Sequence, residues 1–252
     1  MTDLHYQISG NGEPIILIHG GGTDSRIWNN INLNVSNNFK IVSYDLRGHG
    51  QSPIPINTTN HVQDLLHLLK GLQIEKASLV GHSLGGQIAT DFTILYPKMV
   101  HKLILLSPGL TGYPYGQAYK KMGEKIWNAV PNVDSMLEIM LQTPDAYAMQ
   151  ITMKSNQANT IKQIHRDNII KSLEWKNFEQ RWPTTNTEKR LTELTTPILF
   201  ALGSEDKPDM FKIKQLYQVA PNIQFREVKG ADHGLINTNP NDVCRLILDF
   251  IR

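Results

Sequence analysis

Two stretches, Ile15-Ile16-Leu17-Ile18 and Leu103-Ile104-Leu105-Leu106, are apolar at every position. A strand with one wet face would alternate polar and apolar residues. An unbroken apolar run fits a strand covered on both faces, the condition of a parallel sheet between helix layers. The two stretches belong to the runs Pro14 to His19 and Leu103 to Ser107. Similar runs, bounded by Gly, Pro or Asn, recur at Leu4 to Ser9, Phe39 to Tyr44, Ala77 to Gly81, Pro197 to Gly203 and Gln224 to Lys229. Helical spacings lie between several of them. Val62, Leu65, Leu66, Leu69 and Leu72 share one face, and Ile88, Phe92 and Leu95 share another before Pro97. Val243, Leu246, Ile247 and Phe250 form a third, after Pro240 and Asp242. Strands alternating with helices predict an α/β fold with a mostly parallel sheet and right-handed crossovers.

One interval breaks the alternation. From Pro108 to Arg190 no strand pattern appears, while Met122, Ile126 and Val130, then Met136, Leu137, Met140 and Leu141, then Ile161, Ile164, Ile169 and Leu173 fall at helical spacing. A stretch this long is too large for a bare loop. The expected organisation is a core from residues 1–107 and 191–252, with an inserted helical cap at 108–190.

Composition removes several functional classes. At 252 residues the chain can bury roughly three-quarters of its unfolded surface, so it needs no staples. Its one cysteine, Cys244, cannot close an internal disulfide and reads as a packing residue. The 25 basic residues nearly balance 23 acidic ones, which argues against a nucleic-acid partner. No apolar run reaches membrane-spanning length, and no secretory signal opens the chain, so a cytoplasmic protein is expected. There is no His-Glu-x-x-His, no paired Cys and no nucleotide-cradling Gly loop, so neither a metal nor another cofactor is expected.

The chemistry concentrates in Gly81-His82-Ser83-Leu84-Gly85-Gly86, which follows a predicted strand and opens a predicted helix. A strand-turn-helix with Ser at its apex is the setting of a nucleophile elbow. Gly81 and Gly85 relieve the crowding of so tight a turn, and the helix N-terminus directs its positive end at the site. A serine hydroxyl is a weak nucleophile until a base takes its proton. Among nine histidines, His233 is the candidate, in the loop Gly230-Ala231-Asp232-His233-Gly234 after the last strand. His5, His101 and His165 lie in no motif, His61 and His67 are expected on a helical surface, and His82 is expected to point away along the turn. The base needs a carboxylate partner. Asp206, just past the strand ending at Gly203, is the choice, with Glu205 and Asp209 as rivals. Two backbone donors are expected for the oxyanion: the amide of Leu84, and that of Gly21 in His19-Gly20-Gly21-Gly22, with Gly22 the alternative. His19 is expected to pin that loop. In the insertion, Trp127, Tyr147, Trp175 and Trp182 either meet a substrate or pack, and Met136, Met140, Met149 and Met153 either pack or line an apolar pocket.

These motifs, with Asp45-Leu46-Arg47-Gly48-His49-Gly50-Gln51-Ser52, resemble the α/β-hydrolase fold superfamily in its Ser-Asp-His branch with a helical cap, carboxylesterase-like. The resemblance spans nearly the whole chain outside the insertion. It implies a structured turn over Asp45 to Ser52, with Arg47 and His49 structural. It also implies a cap between the family's sixth and seventh strands that shapes the pocket over the nucleophile. Ser83 separates the chain from haloalkane dehalogenases and epoxide hydrolases, which carry Asp at the elbow. Leu84 replaces the Trp usual in prolyl iminopeptidases. Meta-cleavage C–C hydrolases share the Gly-rich loop but typically have Asn before the nucleophile and an aromatic after the histidine, where this chain has His82 and Gly234. The expected activity is therefore hydrolysis of a small-molecule acyl substrate, an ester, lactone or thioester, through an acyl-enzyme on Ser83. The alternatives are a C–C bond hydrolase, an acyltransferase or a perhydrolase-like enzyme on the same triad, and a ligand sensor without turnover.

Overall fold

A computed structural model of the chain describes residues 2–31, 39–142, 149–182 and 186–252. Its strands are β1 (Tyr6–Ser9), β2 (Glu13–Ile18), β3 (Phe39–Tyr44), β4 (Ala77–His82), β5 (Val100–Leu106), β6 (Ile198–Gly203) and β7 (Ile223–Val228). They form one sheet in the order β1-β3-β2-β4-β5-β6-β7. All pairings are parallel except β1 with β3, which is antiparallel and sits at one edge. Each run read as a strand is a strand, with ends shifted by at most three residues.

The continuous runs divide by pleat. Ile16, Ile18, Leu103 and Leu105 join one core cluster, with Leu65, Leu69, Ile88 and Phe92. Their neighbours Ile15, Leu17, Ile104 and Leu106 join the cluster on the other face, with Trp28, Val243 and Ile247. Period-two alternation thus places every residue of such a run in a core, because both faces are covered.

The helices that cover the first face include α1 (His61–Gly71) and α2 (Leu84–Leu95). Among the described residues, the helices between β5 and β6 are α3 (Gln117–Asn128), α4 (Val133–Gln142), α5 (Gln150–Lys154), α6 (Ala158–Ser172) and α7 (Thr187–Arg190). They lie between the fifth and sixth of the described strands. Then come α8 (Pro208–Leu216), α9 (Leu235–Thr238) and α10 (Pro240–Ile251). The α8 segment has Met210 and Ile213 as its buried residues, too weak a pattern to read as a helix from sequence. Val130, expected on an apolar helical face, lies beyond the end of α3 and is exposed.

Buried polar contacts fasten the stretch between β5 and β6 to the sheet domain. The Asp91 carboxylate on α2 accepts the hydroxyls of Thr111 and Thr187, each at 2.6 Å, so one acidic side chain holds both ends of the stretch between β5 and β6. The buried Asp232 accepts the Thr152 hydroxyl and the amides of Ile151 and Thr152. The Trp175 indole donates to the Gly48 carbonyl at 3.0 Å. No helix among the described residues is long and apolar enough to cross a membrane.

Candidate active site

The loops after β2, β4, β6 and β7 all leave the carboxyl edge of the sheet, where open α/β sheets place their sites. They bring together residues from distant parts of the chain. Ser83 sits between β4 and α2 with φ 52° and ψ −115°. A non-glycine residue held there stores backbone strain of about 1–3 kcal/mol. The surrounding packing enforces it: a Cβ on Gly85 would strike the Ile18 carbonyl, and one on Gly81 would strike the Gly85 carbonyl. The elbow therefore presses against the end of β2.

The His233 Nε2 lies 3.0 Å from Ser83 Oγ, and its Nδ1 lies 3.0 Å from Asp206 Oδ1. A carboxylate only accepts, so Nδ1 carries the proton and Nε2 presents its lone pair to the serine hydroxyl. Asp206 also accepts the Ser107 hydroxyl and, at 2.7 Å, the Lys207 amide. Burial alone would raise the Asp206 carboxyl, but His233, Ser107 and the Lys207 charge hold it below its ordinary value. Burial, assisted by Lys207, lowers the His233 ring, against the opposing pull of Asp206. Of the rival carboxylates, Asp209 bonds instead to the Tyr113 hydroxyl, and Glu205 receives the Ser204 hydroxyl.

The loop after β2 runs beside the elbow. A Cβ on Gly21 would sit 3.6 Å from the Leu84 side chain, and one on Gly20 would lie 3.3 Å from Ser83 Cβ. Leu84 opens α2, so its amide belongs to the first turn, whose N–H groups have no partner within the helix. The two expected oxyanion donors therefore share one neighbourhood. His19 fixes this loop: its Nδ1 donates to the Gly20 carbonyl at 2.8 Å, and its Nε2 accepts the Leu46 amide at 2.9 Å. The turn from Asp45 is built by its own carboxylate, which accepts the amides of Ser25 and Gln51. Arg47 pairs with Asp3 and Asp64, and the buried His49 packs edge-on against His19 and Trp175.

Three histidines differ from their sequence reading. His61 is buried rather than on a helical surface, near the Trp182 ring. His82 turns toward the site, and its Nε2 donates to the His233 carbonyl at 2.8 Å. His165, on α6, lines the same cavity as Ser83. That cavity is small, about 30 Å³, bounded also by Gly20, Gly21, Met149, Ile161 and His233. A single water needs ~10–15 Å³ on this measure, so only a compact group fits without movement. Met149 is the lining methionine, and the Met140 methyl lies near Gly22. Trp127 is exposed and Trp175 packs on Gly48, so neither borders the cavity. Tyr147 lies outside the described residues. Larger clefts lie elsewhere, one of about 280 Å³ beside Asp24 and Arg26 and one of about 400 Å³ beside Lys102.

Comparison with known proteins extends the resemblance. An uncharacterized protein of Mycobacterium tuberculosis is 39% identical over 107 residues, 41% of this chain but 31% of that protein, so the match spans about a third of this relative's length. The 2-hydroxy-6-oxo-6-phenylhexa-2,4-dienoate hydrolase of Comamonas testosteroni is 26% identical over 267 residues, covering 99% of this chain and 91% of that one. A thermophilic esterase from Thermogutta terrifontis has a similar structure, with a TM-score of 0.80 and 22% identity over 99% of this chain and 93% of that one. The family model described as the alpha/beta hydrolase fold matches residues 13–240, and the chain belongs to that family.

Proposed function

We propose that this chain is a carboxylesterase-like serine hydrolase that cleaves a small carboxylic ester, lactone or thioester. The hydrogen-bonded series Ser83, His233, Asp206 carries the reading. In it, Ser83 Oγ attacks the acyl carbon as His233 Nε2 takes its proton. The amides of Gly21 and Leu84 hold the oxyanion. His233 then gives the proton to the departing alkoxide or thiolate, leaving an ester on Ser83. Water, deprotonated by the same nitrogen, attacks that ester, and the acid leaves as Ser83 regains its proton. Asp206 keeps His233 in the required tautomer and stabilises its cation. Residues 108–190 act as a cap over this site, with Met149, Ile161 and His165 as its contribution to the cavity wall.

A second reading, C–C bond hydrolysis of a vinylogous diketone, is favoured by the near full-length similarity to the Comamonas testosteroni hydrolase. The test is a panel of p-nitrophenyl esters of increasing acyl length, lactones, and a vinylogous diketone, with a phosphonate probe read by mass spectrometry. Ester turnover with the probe on Ser83, both lost in Ser83→Ala, supports the first reading. Turnover confined to the diketone supports the second. Product analysis with competing alcohols or peroxide separates acyl transfer and perhydrolysis from hydrolysis. Probe labelling without steady turnover marks a ligand sensor.

A further inference from the structure

His165 is 4% exposed, and among the described residues its Nδ1 has no hydrogen-bond partner. A buried polar nitrogen without a partner is costly to keep, so His165 is a polar point in the cavity wall whose hydrogen bonding a ligand can complete. The imidazole stands over the Gly-rich loop. Gly22 adopts φ +70°, and a Cβ there would lie 3.2 Å from His165 Nδ1 and 2.9 Å from the Met140 methyl. The ring thus occupies space that the loop leaves open, one residue past Gly21.

The surroundings define the chemistry. The cavity that His165 lines has apolar walls from Ile27, Met149 and Ile161, and its other polar side chains are Thr23, His82, Ser83, His233 and Asn237. Burial lowers the His165 ring to about 4, only weakly opposed by Asp24, so the imidazole is neutral at neutral pH. A neutral imidazole offers one donor and one acceptor and no charge. A hydroxyl or carbonyl oxygen pairs with it. A carboxylate would enter a cavity with no Lys or Arg among its lining residues to meet its charge.

We propose that His165 is a specificity-determining residue that hydrogen-bonds an uncharged oxygen, hydroxyl or oxo, on the acyl chain of the substrate. The assignment rests on the hydrolase reading above, because Gly21, the neighbour of Gly22, is taken there to hold the acyl oxygen. The preferred substrates are then hydroxyacyl or oxoacyl esters, or the lactones of hydroxy acids, over plain alkyl esters and over half-esters of dicarboxylic acids.

Matched p-nitrophenyl esters test this: butyrate against 3-hydroxybutyrate, pentanoate against 4-oxopentanoate, with hemisuccinate as the anionic member. The wild-type chain should favour the oxygenated member of at least one neutral pair by about tenfold or more in kcat/KM, a difference of about 1.4 kcal/mol. The hemisuccinate should be slower than either. In His165→Leu the preference should collapse to within about twofold, and His165→Gln, which keeps a donor and an acceptor, should retain part of it. A wild-type chain with no such preference, or a preference unchanged in His165→Leu, overturns the assignment. If His165→Leu does not fold, His165→Gln and the wild-type ratio decide it alone. Ester turnover that survives Ser83→Ala overturns instead the hydrolase reading beneath it, and no turnover of any member by the wild-type chain overturns both.

Discussion

The Asp232 carboxylate accepts the Thr152 hydroxyl at 2.6 Å, and both side chains are buried. Asp232 precedes His233, and Thr152 is on α5, so the loop that carries the proposed base is tied directly to the helical stretch between β5 and β6. The same carboxylate accepts the amides of Ile151, Thr152 and Gly234. Asp232→Ala strands buried donors at each of these points, and a stability loss of about 3 kcal/mol or more is expected in denaturant titration. Thr152→Val removes one hydroxyl at similar volume and should cost about 1–2 kcal/mol. Under the hydrolase reading it should also lower kcat, because the His233 loop loses a fixed neighbour.

Asp206 is expected to act through His233 rather than on the substrate. Asp206→Asn presents an amide that can donate to Nδ1, which favours the tautomer with a proton on Nε2, facing Ser83. The expected loss in kcat is about 10⁴-fold with little change in the fold. Ser107→Ala removes one hydrogen bond to the same carboxylate and leaves His233 and the Lys207 amide in place, so its effect should be far smaller. Comparing the two variants by kcat and by circular dichroism separates loss of tautomer control from loss of packing. Equal effects would sink the assignment of Asp206.

The pH dependence has a definite sign. Under the hydrolase reading the reaction needs neutral His233, whose folded pKa is lowered from 6.5. Activity should therefore persist below pH 6.5 and then decline as the ring is protonated, which a kcat/KM profile would show. Stability moves the same way. Burial lowers His49, His61 and His82 to about 3 and His165 to about 4. In the unfolded chain these rings bind protons near pH 6.5, while in the folded chain they do not. Their contribution is complete above that pH and is lost as pH falls toward 3, by up to about 1.4 kcal/mol per pH unit for each ring. Thermal melting between pH 7 and 4 should show a falling midpoint.

The strands were legible because the runs are continuous and end at turn-forming residues. The motif-bearing residues were legible because Ser83, Asp206 and His233 each follow a strand, and their loops meet at one edge of the sheet. The buried state of His61, the first residue of α1, was not, because its ring lies against Trp182, more than a hundred residues on. Likewise, nothing local to Thr111 or Thr187 marks them as partners of Asp91, and His165 has no motif to announce the cavity it faces. Local periodicity reports which face of an element is covered. It carries no information on which distant side chain completes a polar contact.

His82 was expected to point away from the site, and its observed contact defines the last prediction. Its Nε2 donates to the His233 carbonyl, so its Nδ1 is the unprotonated nitrogen of a neutral ring. It fixes the backbone from which the His233 side chain departs. His82→Leu keeps an apolar body but removes this hydrogen bond to the His233 carbonyl, with an expected cost of about 1 kcal/mol in stability. If His82 only packs, kcat on a reference ester should fall little once the fold is intact. If it positions His233, kcat should fall about 10-fold or more with KM nearly unchanged, because the lost alignment is felt at the reacting centre rather than in binding. His82→Gln, which can donate to the same carbonyl, should recover much of the loss. Equal kcat in the Leu and Gln variants would remove His82 from the positioning of the base.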